Sequence, residues 1–96
     1  MNMEITEVRV YPINEGLVRA YVTITLDSCL MIREIRVIKG VTGYFVSMPA
    51  KKQTDGTLRQ IAYPTNAETR NMIQRVVLAE YEKIVANSNQ VPREEE

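Results

Sequence analysis

Between Leu17 and Leu26 the chain alternates without a break. Val18, Ala20, Val22, Ile24 and Leu26 point one way, and Arg19, Tyr21, Thr23 and Thr25 point the other. A period of two marks a β-strand with one face on a core and one face at least partly wet. Antiparallel sheets allow that arrangement. Such a strand needs paired neighbours and a cover for its apolar face. Ile5 to Tyr11 repeats the pattern, with Val8 and Val10 alternating with Glu7 and Arg9; Pro12 ends it, and Asn14-Glu15-Gly16 reads as a turn. Asp27-Ser28 makes a tight connection to a third strand, about Leu30 to Ile38. Its alternation breaks at Arg33-Glu34, where Ile32 and Ile35 stand three apart, which predicts a β-bulge. Lys39 to Gly43 is a turn with two glycines, and Tyr44 to Met48 is a fourth short strand stopped by Pro49. Closely spaced strands joined by short turns favour an antiparallel meander.

After Pro49 the character changes. Ala50 to Thr57 has little apolar content and contains Asp55-Gly56, a strong turn signal, so a flexible loop is expected here. Leu58 to Tyr63 reads as a fifth short strand closed by Pro64. Thr65-Asn66-Ala67-Glu68 fits a capping box, with the Thr65 hydroxyl accepting from the Glu68 amide. A helix from about Asn66 to Ala86 follows. Ile73, Val76, Val77, Ile84 and, at the edge, Tyr81 form the stripe that should cover the sheet. Leu78 and Val85, with Gln74 between them, lie on another flank. A monomer with one sheet cannot bury both flanks, so the pattern is read as a homodimer using Leu78 and Val85; the alternative is that these two are scattered exposed apolar residues. The elements together predict an α+β fold, an antiparallel β-sheet of about five strands with a C-terminal α-helix, in one domain over residues 1–86. The polar segment 87–96, ending in three glutamates, is expected to be a disordered acidic tail.

With 96 residues the chain allows one domain, and one so small is marginal alone. No apolar run approaches the roughly 18 residues of a membrane span. The first residues lack a basic and then apolar leader, so the expected location is the cytoplasm. The single cysteine, Cys29, precludes an intrachain disulfide; within Cys29-Leu30-Met31-Ile32 it reads as a small buried hydrophobe rather than a reactive thiol. The chain has no histidine, which removes the commonest general base and metal ligand, and with it the Ser-His and Cys-His nucleophile pairs. The four glycines form neither a phosphate-binding loop nor a dinucleotide fingerprint. No spacing singles out a carboxylate pair. Glu80 falls within the apolar stripe, and a basic partner from the sheet or another chain is expected for it. No catalytic residue, metal site, cofactor or small-molecule substrate is therefore expected, and the chain does not read as an enzyme.

Formal net charge is zero. Removing Arg93 and the glutamates Glu94, Glu95 and Glu96 from the 12 basic and 12 acidic residues leaves a net of +2. Any affinity for phosphate must come from a local patch. Lys51, Lys52 and Arg59 surround one acidic residue, Asp55, while Arg70 lies in the first turns of the helix and Arg75 one to two turns later. Adjacent lysines suit phosphate contact, because counterion release needs charge and reach more than fixed geometry. Arginines add forked contacts to phosphate or base edges, and Tyr63 offers a ring for an unpaired base. The plainer reading is that the two lysines are simply solvated and Arg70 pairs with a carboxylate.

Several segments then carry a resemblance. Ile24-Thr25-Leu26-Asp27, Ile35-Arg36-Val37-Ile38-Lys39-Gly40, Gly43-Tyr44-Phe45-Val46-Ser47-Met48-Pro49, Asp55-Gly56 with Leu58-Arg59-Gln60-Ile61, and Pro64-Thr65-Asn66 with Thr69-Arg70, Ile73 and Leu78 occur in order. From Ile5 to Ile84 the chain resembles the stage V sporulation protein G (SpoVG) family. The resemblance implies a twisted antiparallel sheet with a C-terminal helix, assembled as a homodimer. It implies a bacterial regulator tied to sporulation and septation that binds DNA and, in some members, RNA. Carried over by position, the binding residues are Lys51, Lys52, Arg59, Arg70 and Arg75. The chain departs from the family pattern at Ala50, where Ser is usual, at Gln53-Thr54, where the loop proline is absent, and at Tyr63-Pro64, where His-Pro is familiar. The rival expectation is a protein-interaction adaptor in cell division or transcription that makes no direct contact with nucleic acid.

Overall fold

The computed structural model describes residues 3–90, and of residues 87–90 the backbone alone. Four strands form the main sheet: β1 (Ile5–Glu15), β2 (Val18–Leu26), β3 (Leu30–Lys39) and β4 (Tyr44–Ser47). They pair antiparallel in chain order, the predicted meander. Two further strands, β5 (Ala50–Lys52) and β6 (Leu58–Gln60), make a separate two-stranded sheet. The helix α1 (Ala67–Gln90) closes the fold. The fold is α+β as expected, with six strands in two sheets instead of about five in one. None of the described helices is long and apolar enough to cross a membrane.

The alternation of β2 translates directly into burial. Ala20, Val22, Ile24 and Leu26 are buried, and Arg19, Tyr21, Thr23 and Thr25 are half-buried on the other side. Ile35 and Val37 of β3 extend the core, and Ile73, Val77 and Tyr81 of α1 close it. Val8 and Val10 of β1 pack on its edge. The expected bulge is present. The β2–β3 register steps from Val22↔Ile35 to Ile24↔Ile32, and Glu34 adopts a φ of 64°. The extra residue returns Ile35 to the buried face.

The β2–β3 connection is a two-residue turn with Asp27 and Ser28 at φ 50° and 55°, closed by the Cys29 amide donating to the Leu26 carbonyl at 2.9 Å. Both positive φ values fit a type I′ hairpin. This turn also corrects the expectation for Cys29, which is exposed. Leu30 and Met31 beside it are exposed as well.

At the other end, the Gly40 amide donates to the Gly43 carbonyl at 2.7 Å, and a Cβ on Gly40 would lie 3.1 Å from the Phe45 ring. Tyr44 of β4 stacks at a tilt on Tyr81 of α1, with centroids 5.4 Å apart. That contact fastens the edge strand to the helix.

The helix start differs from the capping-box expectation. Asn66, not Thr65, caps it: the Asn66 Oδ1 accepts from the Thr69 amide at 2.7 Å. A short carboxamide one residue before the first helical position reaches the third amide of the helix, which Thr65 is one residue too early to do. The helix continues past the expected end at Ala86 to Gln90, so the expected tail begins inside it, while residues 91–96 lie outside the described residues. Of the predicted stripe, Ile73, Val77 and Tyr81 are buried and Val76 and Ile84 are half-buried. Leu78 and Val85 are also half-buried, packing on the margin of the core instead of standing on a separate flank. The reason is width: the apolar face of this helix spans more than one row of side chains. Glu80 finds its partner on its own helix, Lys83 at 3.6 Å.

Candidate nucleic-acid interface

The segment expected as a flexible loop is a β-hairpin. Ala50 pairs with Gln60, Lys51 with Arg59 and Lys52 with Leu58. The Ile61 amide continues the ladder to the Pro49 carbonyl at 2.9 Å. The turn is built from Gln53 to Thr57. The Gly56 amide donates to the Gln53 carbonyl at 3.0 Å, the Gln53 amide donates to the Thr57 carbonyl at 2.7 Å, and Gly56 takes a φ of 93°. The Asp55 Oδ1 accepts from the Thr57 amide at 3.0 Å and from the Thr57 hydroxyl at 2.7 Å. These bonds, the backbone one foremost, hold the Asp55 carboxyl below its ordinary range. The one acidic residue among the basic ones is thus committed to the turn. The Asp-Gly pair flanked by Lys52 and Leu58 was the sequence signal for this hairpin; too few apolar residues surround it to reveal the strands.

Strand alternation puts Lys51 and Arg59 on one face of the hairpin, directly across from each other. Lys52 lies on the opposite face. Among the described residues the ion pairs are Arg9–Glu7 at 2.6 Å and Lys83–Glu80 at 3.6 Å, and neither includes a residue of the hairpin. The Arg9–Glu7 bond also raises the Arg9 pKa.

Arg70 is exposed in the first turns of α1. It reaches a cleft of about 230 Å³ whose lining includes Met48, Gln60, Pro64, Ile73 and Gln74. Gln60 directly follows Arg59 in β6, so the cleft joins the helix start to the hairpin. No carboxylate pairs with Arg70 among the described residues. Arg75 is exposed too, but five residues along a helix is a rotation of about 140°, which turns it away from the cleft. Lys51, Lys52 and Arg59 therefore share the hairpin, and Arg70 shares a cleft with Gln60 of that hairpin, whereas Arg75 lies on another side of the helix. Tyr63 is exposed just before the helix. The sequence does not mark Gln60 or Gln74 as site residues, because a glutamine carries no charge that would point to a binding role.

The geometry defines a class: a small α+β domain whose four-stranded meander and helix form the core, and whose short second hairpin carries cations free of carboxylate partners among the described residues. Comparison with known proteins makes this specific. The SpoVG family model matches residues 3–83. The chain is 57% identical over 81 residues to a putative septation protein SpoVG of Anaeromyxobacter sp. (strain Fw109-5), covering 84% of each chain. It is 57% identical over 81 residues to the protein so named in Myxococcus xanthus, covering 84% of this chain and 82% of that one. It is 40% identical over 85 residues to the one in Caldicellulosiruptor bescii, covering 88% of this chain and 97% of that one. The chain belongs to the SpoVG family.

Proposed function

We propose that the protein is a dimeric nucleic-acid-binding regulator, acting in the cytoplasm in processes connected with septation and sporulation. The relatives' names, putative septation proteins, support the biological setting. The observation that carries the molecular reading is Lys51 standing across from Arg59 with no carboxylate beside either among the described residues. Like charges directly opposite on a sheet oppose folding. A polyanion laid over them removes the repulsion and releases its own counterions. Lys51, Lys52, Arg59 and Arg70 engage phosphates of DNA, and of RNA as well; Arg75 contributes from the side of the helix. Leu78 and Val85 border the surface through which two copies associate, so that two basic hairpins act on one strand or duplex.

The test is binding of the full chain and of Lys51→Ala, Lys52→Ala to DNA and to RNA at two salt concentrations. Weaker binding and a shallower salt dependence in the variant are expected; equal affinity and equal slope would remove the hairpin from the mechanism. A second reading, an adaptor that binds other proteins, draws on the exposed apolar residues Leu58, Ile61 and Tyr63 around the same hairpin. Under that reading, the lysine substitutions leave partner binding unchanged and the wild type retains no nucleic acid at physiological salt.

A further inference from the structure

On the face of the sheet opposite the buried core, one row of side chains crosses all four strands. Tyr11 of β1 stands opposite Tyr21 of β2, Tyr21 opposite Arg36 of β3, and Arg36 opposite Ser47 of β4. The alternation assigns the face: Ala20 and Val22 beside Tyr21, and Ile35 and Val37 beside Arg36, are all in the core. Tyr11 is 52% exposed, while Tyr21 and Arg36 are half-buried. Arg36 donates from Nη2 to the Ser47 Oγ at 3.1 Å, which holds the guanidinium in the row. It has no carboxylate within ion-pair distance among the described residues. The one aromatic pair in stacking contact among those residues is Tyr44–Tyr81, so the Tyr11 and Tyr21 rings are not engaged with each other.

The inner half of the row opens into a second cleft of about 220 Å³, between the sheet and the hairpin, bordered by Tyr21, Arg36, Glu34, Ala50 and Leu58. In the β5–β6 register, Lys52 shares the face of Ala50 and Leu58. The cleft therefore leads from Tyr21 past Arg36 to the basic hairpin.

We propose that this face is a stacking platform for single-stranded nucleic acid. Unpaired bases lie on Tyr11 and Tyr21, Arg36 takes a phosphate or a base plane, and the strand continues to Lys52. The inference rests on the nucleic-acid reading above and names the form of nucleic acid bound. Every base has a π-face, so aromatic rings on neighbouring strands of an open sheet receive successive bases with little regard to sequence. A duplex cannot use such a surface while its bases are stacked within it. The composition of the row also selects the occupant. Tyrosine hydroxyls, a guanidinium and a serine lie among Thr23 and Thr25, and an apolar partner would strip water from these groups without replacing its hydrogen bonds. Base edges and phosphates replace them. Glu34, which lines the cleft beside Arg36, repels phosphate and so leaves Arg36 and Lys52 to hold the backbone.

The experiment measures affinity of the full chain for a labelled twelve-residue oligothymidine and for a labelled duplex of equal length, with sedimentation of each variant run in parallel. Tyr11→Leu, Tyr21→Leu should bind the oligothymidine about tenfold or more weakly and the duplex as tightly as wild type. Tyr11→Phe, Tyr21→Phe, which keeps the rings, should match wild type on both. Tyr11→Leu alone, at the more exposed position, guards against a folding defect and should show an intermediate loss on the single strand. Unchanged oligothymidine binding by the double leucine variant overturns the platform and leaves the hairpin reading standing. Equal loss on both probes with a changed sedimentation coefficient also overturns it, by showing that the face joins two copies of the chain. If wild type binds neither probe, both readings fall.

Discussion

Lys51 and Arg59 face each other across the β5–β6 hairpin, two cations in directly opposed positions where a sheet ordinarily places opposite charges or apolar pairs. The nearby carboxylate, Asp55, forms no ion pair with either; it bonds to Thr57 and keeps its negative charge in the turn. The arrangement exchanges some hairpin stability for a concentration of positive charge. Replacing Arg59 with Glu should reverse that exchange. Arg59→Glu should stabilise the hairpin by up to about 1 kcal/mol through an opposite-charge pair with Lys51. The same change should weaken nucleic-acid binding. Hydrogen exchange of the hairpin amides and a binding titration measure the two effects, and loss of both together would contradict this account.

The Asp55 turn should be sensitive to acid. Its carboxyl pKa is lowered in the folded state, chiefly by the bond from the Thr57 amide. A group depressed in this way stabilises the fold above its unfolded pKa, and the contribution is lost as pH falls through the folded value. The turn should therefore be intact at neutral pH and loosen only below the ordinary carboxylate range. The chemical shift of the Thr57 amide, followed down in pH, should show that transition, and Asp55→Ala should abolish it.

Asn66 should matter to the helix, and Thr65 should not. Asn66→Ala removes the acceptor for the Thr69 amide and should cost about 1 kcal/mol. Thr65→Ala should stay within about 0.5 kcal/mol, as expected for a surface site outside the cap. Urea denaturation of the two variants separates them.

Burial along the sheet should appear as a gradient in mutational cost. Ile35→Ala, at a fully buried position just after the bulge, should destabilise by about 2–5 kcal/mol. Leu30→Ala, at an exposed position on the same strand, should change stability by about 0.5 kcal/mol or less. Thermal unfolding of the pair tests whether Glu34 brings Ile35 into the core.

The dimer proposed above predicts concentration-dependent association that weakens when the helix margin is altered. Leu78→Ala, Val85→Ala should shift sedimentation towards monomer at micromolar concentration, with circular dichroism reporting whether the helix is kept. An unchanged assembly would remove these two residues from the interface.

The amino-acid sequence alone determined the β2 alternation, the meander, the bulge at Arg33-Glu34 and the buried residues Ile73, Val77 and Tyr81 of the helix. Each is a local pattern, set by side chains a few residues apart and by the fixed periods of strand and helix. Tertiary structure alone decided that Ala50–Lys52 is a strand, that Lys51 meets Arg59, and that Tyr11, Tyr21 and Arg36 share a row. It also decided that Cys29 lies in the open and that Arg70, but not Arg75, turns to the hairpin side of the helix. These are matters of register and of where one element ends against another. They depend on pairing between segments far apart in the chain, and a one-residue shift in such pairing exchanges the faces of a strand without changing a letter of its sequence.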